Sequence, residues 1–200
     1  MSRPIIAVDI DDVLSSENEA MRLFINERYG QNHTPEDYLI DGEYWSYWDK
    51  VWGVDKQTAR KWFNSYLDAN VKAKHQLIDG ALDSISALQN RYDLVIITSR
   101  EDRMVDVTHQ WLNRHFPKVF SKVEFVRLWQ KKDDHTKGTI AREVGADYII
   151  DDNVEHCNAS QAAGVQALLF GDYGWNRQYT PAPGVVRVKN WQAVRDYFNV

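Results

Sequence analysis

The chain has 200 residues, of which 44% are hydrophobic, and a formal net charge of −5. This length and composition predict one globular domain with a proper core and room for an insertion, and they exclude a largely disordered chain. The acidic balance excludes nucleic acid polymers and anionic membranes as expected partners, because both attract clustered Lys and Arg side chains.

The chain fits a reducing compartment. Cys157 is its single cysteine, which excludes an intramolecular disulfide, and no Cys or His spacing resembles a zinc site. The N-terminus reaches an aspartate after four apolar residues, so no signal peptide is expected. No apolar run approaches the ~18 residues that a membrane-spanning helix requires. We therefore expect a soluble cytoplasmic protein.

The first predicted element is a buried strand over residues 5–8 (IIAV) that ends in an acidic turn. Four apolar residues in a row are typical of a parallel strand that is covered on both faces. Asp9, Asp11 and Asp12 follow at once. Carboxylates this close repel one another unless a cation or a proton compensates them. The sequence therefore predicts a positive partner at the end of this strand.

A helix is predicted next, with Ser16 as its candidate N-cap and Glu19 three residues later. The segment after it has short amphipathic stretches, many aromatic residues and no strand-like run. This texture predicts a helical insertion, which we place at residues 17–79. Residues 1–16 and 80–200 would then form the core domain.

From residue 80 onward, predicted helices and strands alternate. The predicted strands cover residues 94–97, 122–126, 148–150 and 166–170. The predicted helices follow Asp79-Gly80 and cover residues 102–116, 137–144 and 157–163, with Leu82, Ile85, Leu88, Val105, Trp111 and Leu112 as candidate core residues. This alternation predicts a three-layer, Rossmann-like α/β fold, in which helices cover both faces of a parallel sheet.

Polar residues follow the predicted strands. Thr98 and Ser99 end the second strand, and Asp151 and Asp152 end a later one. In open parallel sheets the ligand crevice lies outside the carboxyl ends of the strands, so these residues and the first acidic turn should meet there. Lys137, at the beginning of a helix, can join them.

The four aspartates of this edge suit magnesium-dependent chemistry on a phosphate ester. Asp9, Asp11, Asp151 and Asp152 offer hard oxygen ligands for Mg²⁺, although Asp152 could instead cap the following helix. Asp9 would attack phosphorus to form an aspartyl-phosphate. Asp11 would protonate the leaving oxygen and then deprotonate the attacking water.

The remaining polar residues of the edge suit phosphate binding. Thr98, the backbone amide of Ser99 and Lys137 would hold the phosphoryl oxygens, where charge is redistributed in the transition state. Lys131 or Lys132 could take the place of Lys137.

The order of these features resembles the four motifs of haloacid dehalogenase-superfamily phosphatases. The motifs are D-x-D-x-V over residues 9–13, a strand ending in Thr98, Lys137, and a strand followed by Asp151-Asp152. The pieces LIDGALDSISAL, VIITSR, YIIDDN and FGDYGWNRQY look like the 5′(3′)-deoxyribonucleotidase branch. Asp12 stands where that branch often has Gly, and Asp tolerates a left-handed turn better than most residues.

The resemblance implies Mg²⁺-dependent hydrolysis of nucleoside monophosphates and a type 1 cap, formed by the insertion, whose aromatic residues hold the base. Candidate substrate contacts are Trp45, Trp48, Arg100, Trp175 and Asn176. Stacking on a base contributes ~1–3 kcal/mol, but the tryptophan spacing also fits a buried helical stripe. Arg100 could reach the substrate or form an exposed salt bridge.

Three other functions compete with this reading. A phosphatase for a sugar phosphate or another small metabolite would use the same residues. A receiver-like phospho-signalling domain and a non-catalytic binding module are the alternatives outside the enzyme class. The sequence leaves open the base, the sugar, the position of the phosphate, whether water is the only acceptor, and whether the protein is a monomer or a homodimer.

Overall fold

The computed structural model describes residues 3–69, 71–126 and 136–200, except for the side chain of Trp45. Six strands form one sheet in the order β3-β2-β1-β4-β5-β6, and every pairing is parallel. The strands are β1 (Ile5–Val8), β2 (Asp93–Thr98), β3 (Phe120–Phe125), β4 (Tyr148–Asp151), β5 (Gln166–Phe170) and β6 (Val186–Val188). The predicted α/β fold class is confirmed.

Eight α-helices and four short 3₁₀ helices are found in the described residues. The α-helices are α1 (Glu17–Tyr29), α2 (Tyr47–Trp52), α3 (Lys56–Asp68), α4 (Ala81–Leu88), α5 (Val105–His115), α6 (Lys137–Glu143), α7 (Val154–Ala162) and α8 (Trp191–Phe198). The 3₁₀ helices are Pro35–Leu39, Tyr44–Ser46, Val71–Lys74 and Asp102–Met104. In the described part of the chain, every helix falls short of the length and apolar character needed to cross a membrane.

Apolar residues on both faces of the sheet explain the three layers. Ile6 and Val8 of β1 are fully buried on the face that α4, α5 and α8 cover. Ala7, between them, is fully buried on the face that α6 and α7 cover. Successive side chains of a strand point to opposite faces, so a strand covered on both sides must be apolar throughout.

Two predicted core positions are corrected. Leu82 is 47% exposed, whereas Ala81 and Ile85 are fully buried. Each residue turns an α-helix by about 100°, so Leu82 falls beside the buried stripe and not on it. Val105 is only half-buried, while Trp111 is buried as predicted.

Residues 17–79 contain helices only among their described residues, apart from one isolated bridge between Leu77 and Ser15. Helices α1, α2 and α3 share an apolar cluster, which Met104, Val107 and Trp175 join from the other side. We keep residues 17–79 as the proposed cap and the rest of the chain as the proposed core domain.

The two linkers to this segment run side by side. The backbone N–H of Ser16 donates to the carbonyl of Gln76 at 2.9 Å, and that of Ile78 donates to the carbonyl of Leu14 at 2.9 Å. The insertion therefore leaves and re-enters the α/β part of the molecule at one place.

Candidate active site

Three neighbouring strands bring the predicted residues together. β1 lies between β2 and β4, with Val8 beside Ile96 on one side and Ile150 on the other. The N–H of Asp9 donates to the Ile150 carbonyl at 3.0 Å, which fixes the turn after β1 against β4. The ends of all three strands consequently meet at one edge of the sheet.

A buried group of three carboxylates lies at this edge. Asp9, Asp151 and Asp152 each have an oxygen within 4.8 Å of the others, and each is at most 6% exposed. Lys137 Nζ lies 2.6 Å from Asp9 Oδ2 and 2.7 Å from Asp151 Oδ2. One ammonium leaves two formal negative charges uncompensated in a hard-oxygen donor set, and this fits a divalent cation such as Mg²⁺.

Two of the three carboxyl groups have raised pKa values, as expected where buried negative charge exceeds positive charge. Burial raises the pKa of Asp9 to about 6, although Lys137 opposes the change. Burial and the neighbouring Asp151 raise the pKa of Asp152 well above its usual range. For Asp151 the effect of burial is outweighed by Lys137 and by His156, so its pKa is lowered.

Asp11 belongs to a separate charge cluster. Arg100 grips its carboxylate at both oxygens, with Nε 2.9 Å from Oδ2 and Nη2 2.5 Å from Oδ1. Lys72 Nζ lies 3.3 Å from Asp11 Oδ2 and 2.5 Å from Glu17 Oε1. Burial raises the Asp11 pKa, but Arg100 and Lys72 outweigh it and hold the pKa well below its ordinary value.

Arg100 is only 3% exposed, which rules out the exposed salt bridge, one of its two predicted roles. The Asp11 carboxylate is engaged by Arg100 and Lys72, and its predicted role as a metal ligand stays a prediction. Sequence reasoning missed Lys72 and Glu17 entirely, because their ion pair joins residues 55 positions apart and carries no motif.

The phosphate-binding candidates flank Asp9. Thr98 is 1% exposed, and its hydroxyl accepts a hydrogen bond from the N–H of Arg100 at 3.3 Å. The Ser99 hydroxyl is buried and has no hydrogen-bond partner among the described residues. A buried polar atom without a partner is costly, which indicates that a ligand completes this position. Lys131 and Lys132 lie outside the described residues.

The position of Lys137 depends on a close contact between α6 and α7. It is the first residue of α6, whose N-cap Thr136 accepts a hydrogen bond from the N–H of Thr139 at 3.1 Å. A Cβ on Gly138 would lie 2.5 Å from the Ala159 carbonyl group, so only glycine allows α6 to approach α7 this closely. The contact seats the fully buried Lys137 ammonium beneath the carboxylates.

The loop after β5 supports the acidic edge. Trp175 Nε1 donates to Asp152 Oδ2 at 2.7 Å, and Trp175 also lines the cavity. The side-chain amide of Asn176 donates to the Asp152 and Phe170 carbonyls at 2.9 Å, and its oxygen accepts from the Tyr173 N–H. Asn176 is fully buried and bonded within the protein, so the predicted substrate contact is wrong for this residue.

Asp12 is structural, as its place in the turn suggests. Its φ of 57° lies in the left-handed region, as expected at a position where the nucleotidase branch often has Gly. Its carboxylate accepts from the N–H and the side-chain amide of Asn18, at 3.1 and 2.6 Å. Ser16 makes no side-chain capping bond, so Asp12 replaces the predicted cap at the start of α1.

A cavity of about 590 Å³ opens over this edge of the sheet. Its floor is formed by the strand-end residues, Arg100 and Lys137. Its cap wall includes Tyr44, Trp48, Lys56, Arg60, Phe63 and Asn64. Trp48 therefore lies where the sequence predicts, whereas the side chain of Trp45 lies outside the described part of the structure.

Solved structures show which proteins share this fold. A haloacid dehalogenase-like protein of Agrobacterium tumefaciens superposes with a TM-score of 0.70 at 15% identity, covering 99% of this chain and 98% of that one. The HAD-hydrolase YfnB of Bacillus subtilis, bound to magnesium, superposes with a TM-score of 0.58 at 16% identity over the whole of both chains. The likeness shows the fold of haloacid dehalogenase-like proteins, and the family match over residues 3–200 places the chain among the phosphatases of that superfamily.

Within that class, a family model matches residues 3–200. The chain belongs to this family, 5′ nucleotidase, deoxy (Pyrimidine), cytosolic type C protein. It is also 22% identical to the "Putative nucleotidase YqfW" of Bacillus subtilis, over 97% of this chain and 93% of that protein.

Proposed function

We propose that the protein is a Mg²⁺-dependent phosphomonoester hydrolase that dephosphorylates (deoxy)nucleoside monophosphates through an aspartyl-phosphate intermediate. The observation that carries the proposal is the meeting of Asp9, Lys137 and the partnerless Ser99 hydroxyl at the floor of a cavity of about 590 Å³. Membership of a nucleotidase family supports the substrate class. We place the reaction in the cytoplasm.

Asp9 is the proposed nucleophile. A carboxylate oxygen attacks phosphorus, the bond from phosphorus to the nucleoside oxygen breaks, and Asp11 supplies the proton to that oxygen. In the second half, water loses a proton to Asp11 and attacks the aspartyl-phosphate, which releases inorganic phosphate and restores Asp9. Arg100 and Lys72 hold the Asp11 pKa well below its ordinary value, so the substrate must draw these cations away from Asp11 before it can carry the proton.

Phosphate would be held from below and from the side. Lys137 supplies a buried positive charge next to Asp9, and Ser99 and Thr98 supply polar groups at the end of β2. Asp9, Asp151 and Asp152 would hold Mg²⁺, which neutralises charge so that an anionic carboxylate can approach an anionic phosphoryl group.

The nucleoside would occupy the space above. Tyr44, Trp48 and Phe63 line this part of the cavity, and aromatic faces stack on bases of any sequence. Trp48 is half-buried and contacts the ring of Trp175 edge-on, at 5.9 Å between ring centroids. This packing limits its rotation, so the proposed stacking surface is preorganised.

The test is phosphate release from ribo- and deoxynucleoside monophosphates and from sugar phosphates, with Mg²⁺ or with EDTA. We expect metal-dependent turnover of nucleotides that falls by about 10⁴-fold in Asp9→Asn. Asp93→Asn, which changes an exposed aspartate at the start of β2, is the matched control and should keep full activity. Folded protein that releases no phosphate from any substrate would refute the proposal, and faster release from sugar phosphates would replace the substrate class.

A further inference from the structure

The cap wall of the cavity carries two basic side chains that the proposed reaction does not use. Lys56 and Arg60 lie one turn apart on α3, and both line the cavity. Asn64, a further turn along the same face, lines it as well. Residues at i, i+4 and i+8 lie on one side of a helix, so α3 presents a polar, cationic stripe to the cavity.

Charge pairing separates these two side chains from the other basic residues of the cavity. Lys137 is paired with Asp9 and Asp151, Arg100 with Asp11, and Lys72 with Glu17 and Asp11. By contrast, neither Lys56 nor Arg60 has a carboxylate partner within 4.0 Å among residues 3–69, 71–126 and 136–200. Their charges are free to meet a ligand.

The acidic residues near the stripe leave it net positive. Glu101 also lines the cavity, but it is paired with Arg103 at 2.7 Å. Glu17, which also lines the cavity, is paired with Lys72, so Asp49 is the remaining acidic residue of the cap, and one carboxylate offsets one of the two basic charges of α3. The open end of the cap wall therefore attracts an anion.

The two basic residues of the stripe lie toward the N-terminal end of α3, away from the floor of the cavity. Lys72 follows the C-terminal end of α3 and reaches Asp11, so this end of the helix adjoins the reacting groups. Leu67 lines the cavity near that end, whereas Lys56 is the first residue of the helix. At 1.5 Å per residue, Lys56 lies about 16 Å and Arg60 about 10 Å along the helix axis from Leu67, so Arg60 is the basic residue nearer to the floor.

We propose that Lys56 and Arg60 form a second anion-binding subsite, and that the preferred substrates are phosphomonoesters with a second anionic group remote from the scissile phosphate. Among nucleotides this class is the nucleoside 3′,5′-bisphosphates. A planar guanidinium binds phosphate or carboxylate through two parallel hydrogen bonds, and a lysine adds a point charge. The inference rests on the proposed hydrolysis of phosphomonoesters and names its substrate class.

Binding is measured first, in Asp9→Asn, so that the ligand is not consumed. The probes are thymidine 5′-monophosphate and thymidine 3′,5′-bisphosphate, followed by quenching of the fluorescence of the cavity tryptophans, Trp48 and Trp175. We expect the bisphosphate to bind at least tenfold more tightly. Adding Lys56→Gln and Arg60→Gln together should remove this preference and change the affinity for the monophosphate by less than twofold.

Lys61→Gln supplies the matched control. Lys61 is an exposed lysine on the same helix, and the change removes the same charge. It should leave both affinities unchanged. The single variants Lys56→Gln and Arg60→Gln, each checked for its melting temperature, separate loss of the subsite from loss of the fold.

Turnover and a second pair of probes complete the test. In protein that retains Asp9, Arg60→Gln should raise KM for the bisphosphate about tenfold and leave kcat unchanged. Glycerol 3-phosphate and 3-phosphoglycerate differ by one carboxylate, and a preference for the latter that Arg60→Gln removes would assign the subsite to carboxylates.

Each failure has a separate meaning. Equal affinities for the mono- and bisphosphate, unchanged in the double variant, overturn the subsite but leave the proposed hydrolysis intact. If no phosphomonoester is turned over, the proposed function fails, while the binding measurements still decide whether Lys56 and Arg60 hold an anion.

Discussion

The floor of the cavity and its cap wall hold their charges in opposite ways. On the floor, Lys137 is fully buried between two carboxylates, and Arg100 is 3% exposed and bonded to a third. On the cap wall, Lys56 and Arg60 are exposed and have no carboxylate partner in the described part of the chain. The same kinds of side chain therefore serve different purposes on the two sides.

The difference in burial and pairing suits the floor to the reaction and the cap wall to the choice of substrate. Charges that are buried and paired keep one geometry, because any movement would leave a buried ion uncompensated. Charges that face solvent on a helix move at little cost and can adapt to different ligands. We interpret the floor as the fixed reaction site and the cap wall as the part that chooses among phosphate esters.

Removing the buried ammonium of Lys137 should lower the stability of the protein more than any other change proposed here. Lys137→Met leaves Asp9 and Asp151 buried without their cation, and we expect the free energy of unfolding to fall by about 3–5 kcal/mol. Urea unfolding at pH 7 in EDTA measures the change. Lys122→Met is the control, since this exposed lysine pairs with Glu124 at the surface and should cost at most about 1 kcal/mol. Equal losses in both variants would contradict the contrast.

Acid should lower the free energy of unfolding through His75, a buried histidine in the segment that leads back from the cap. Burial and the neighbouring Lys72 lower the His75 pKa to about 3, and Tyr66 Oη lies 2.6 Å from its Nε2. An unfolded histidine has a pKa near 6.5, so the unfolded chain takes up a proton first as the pH falls. The stabilising effect of the neutral ring is complete above about pH 6.5 and is lost progressively toward pH 3.

From pH 7 to pH 5 this effect corresponds to about 2 kcal/mol of unfolding free energy. His75→Gln should show a pH dependence that is weaker by that amount in denaturant titrations. His109→Gln, at an exposed histidine, is the control. A wild type and a His75→Gln variant that lose stability in parallel between these pH values would rule out this source of acid sensitivity.

A smaller effect is expected at the indole that supports the metal group. Trp175→Phe keeps an aromatic ring but removes the N–H that donates to Asp152. Loss of a hydrogen bond to a metal-binding carboxylate typically weakens metal affinity by 10–100-fold, and we expect about tenfold here. The measurement is the Mg²⁺ concentration at half-maximal activity. Trp48→Phe changes another cavity tryptophan and should leave this concentration unchanged.

The smallest effect is expected on the cap wall. Arg60→Gln should change the free energy of unfolding by less than about 0.5 kcal/mol, because the side chain is exposed and has no carboxylate partner in the described residues. Urea unfolding of Arg60→Gln, measured in parallel with Lys137→Met, checks this directly. A loss above 1 kcal/mol would show that Arg60 has a structural role, and would remove the distinction between floor and wall.

The residues of the floor could be predicted from the sequence because the backbone topology of a parallel sheet fixes their positions. Asp9, Thr98 and Asp151 each end an apolar strand, and parallel strands deliver their ends to one edge. Their catalytic and metal-binding roles stay predictions. The left-handed turn at Asp12 followed in the same way from its position after the strand.

The partners of Asp11 were inaccessible for a physical reason. Arg100 reaches Asp11 across 89 positions of sequence, and Lys72 reaches it across 61. An arginine that grips a buried carboxylate and one that lies on the surface have the same local sequence pattern. β6 is absent from the prediction because its three residues are too short for a recognisable period, and α8, which follows it, was missed as well.

The paired linkers have a consequence for how such a protein can change over generations. Leu14 and Ser16 are hydrogen-bonded to Ile78 and Gln76, so the helical segment is attached at a single seam. Recombination at that seam could exchange the whole segment for another without moving a strand of the sheet. A chimaera joined at these four residues would keep Asp9, Lys137, Asp151 and Asp152 together, but the new segment would have to replace Lys72 and Glu17, which form ion pairs beside Asp11.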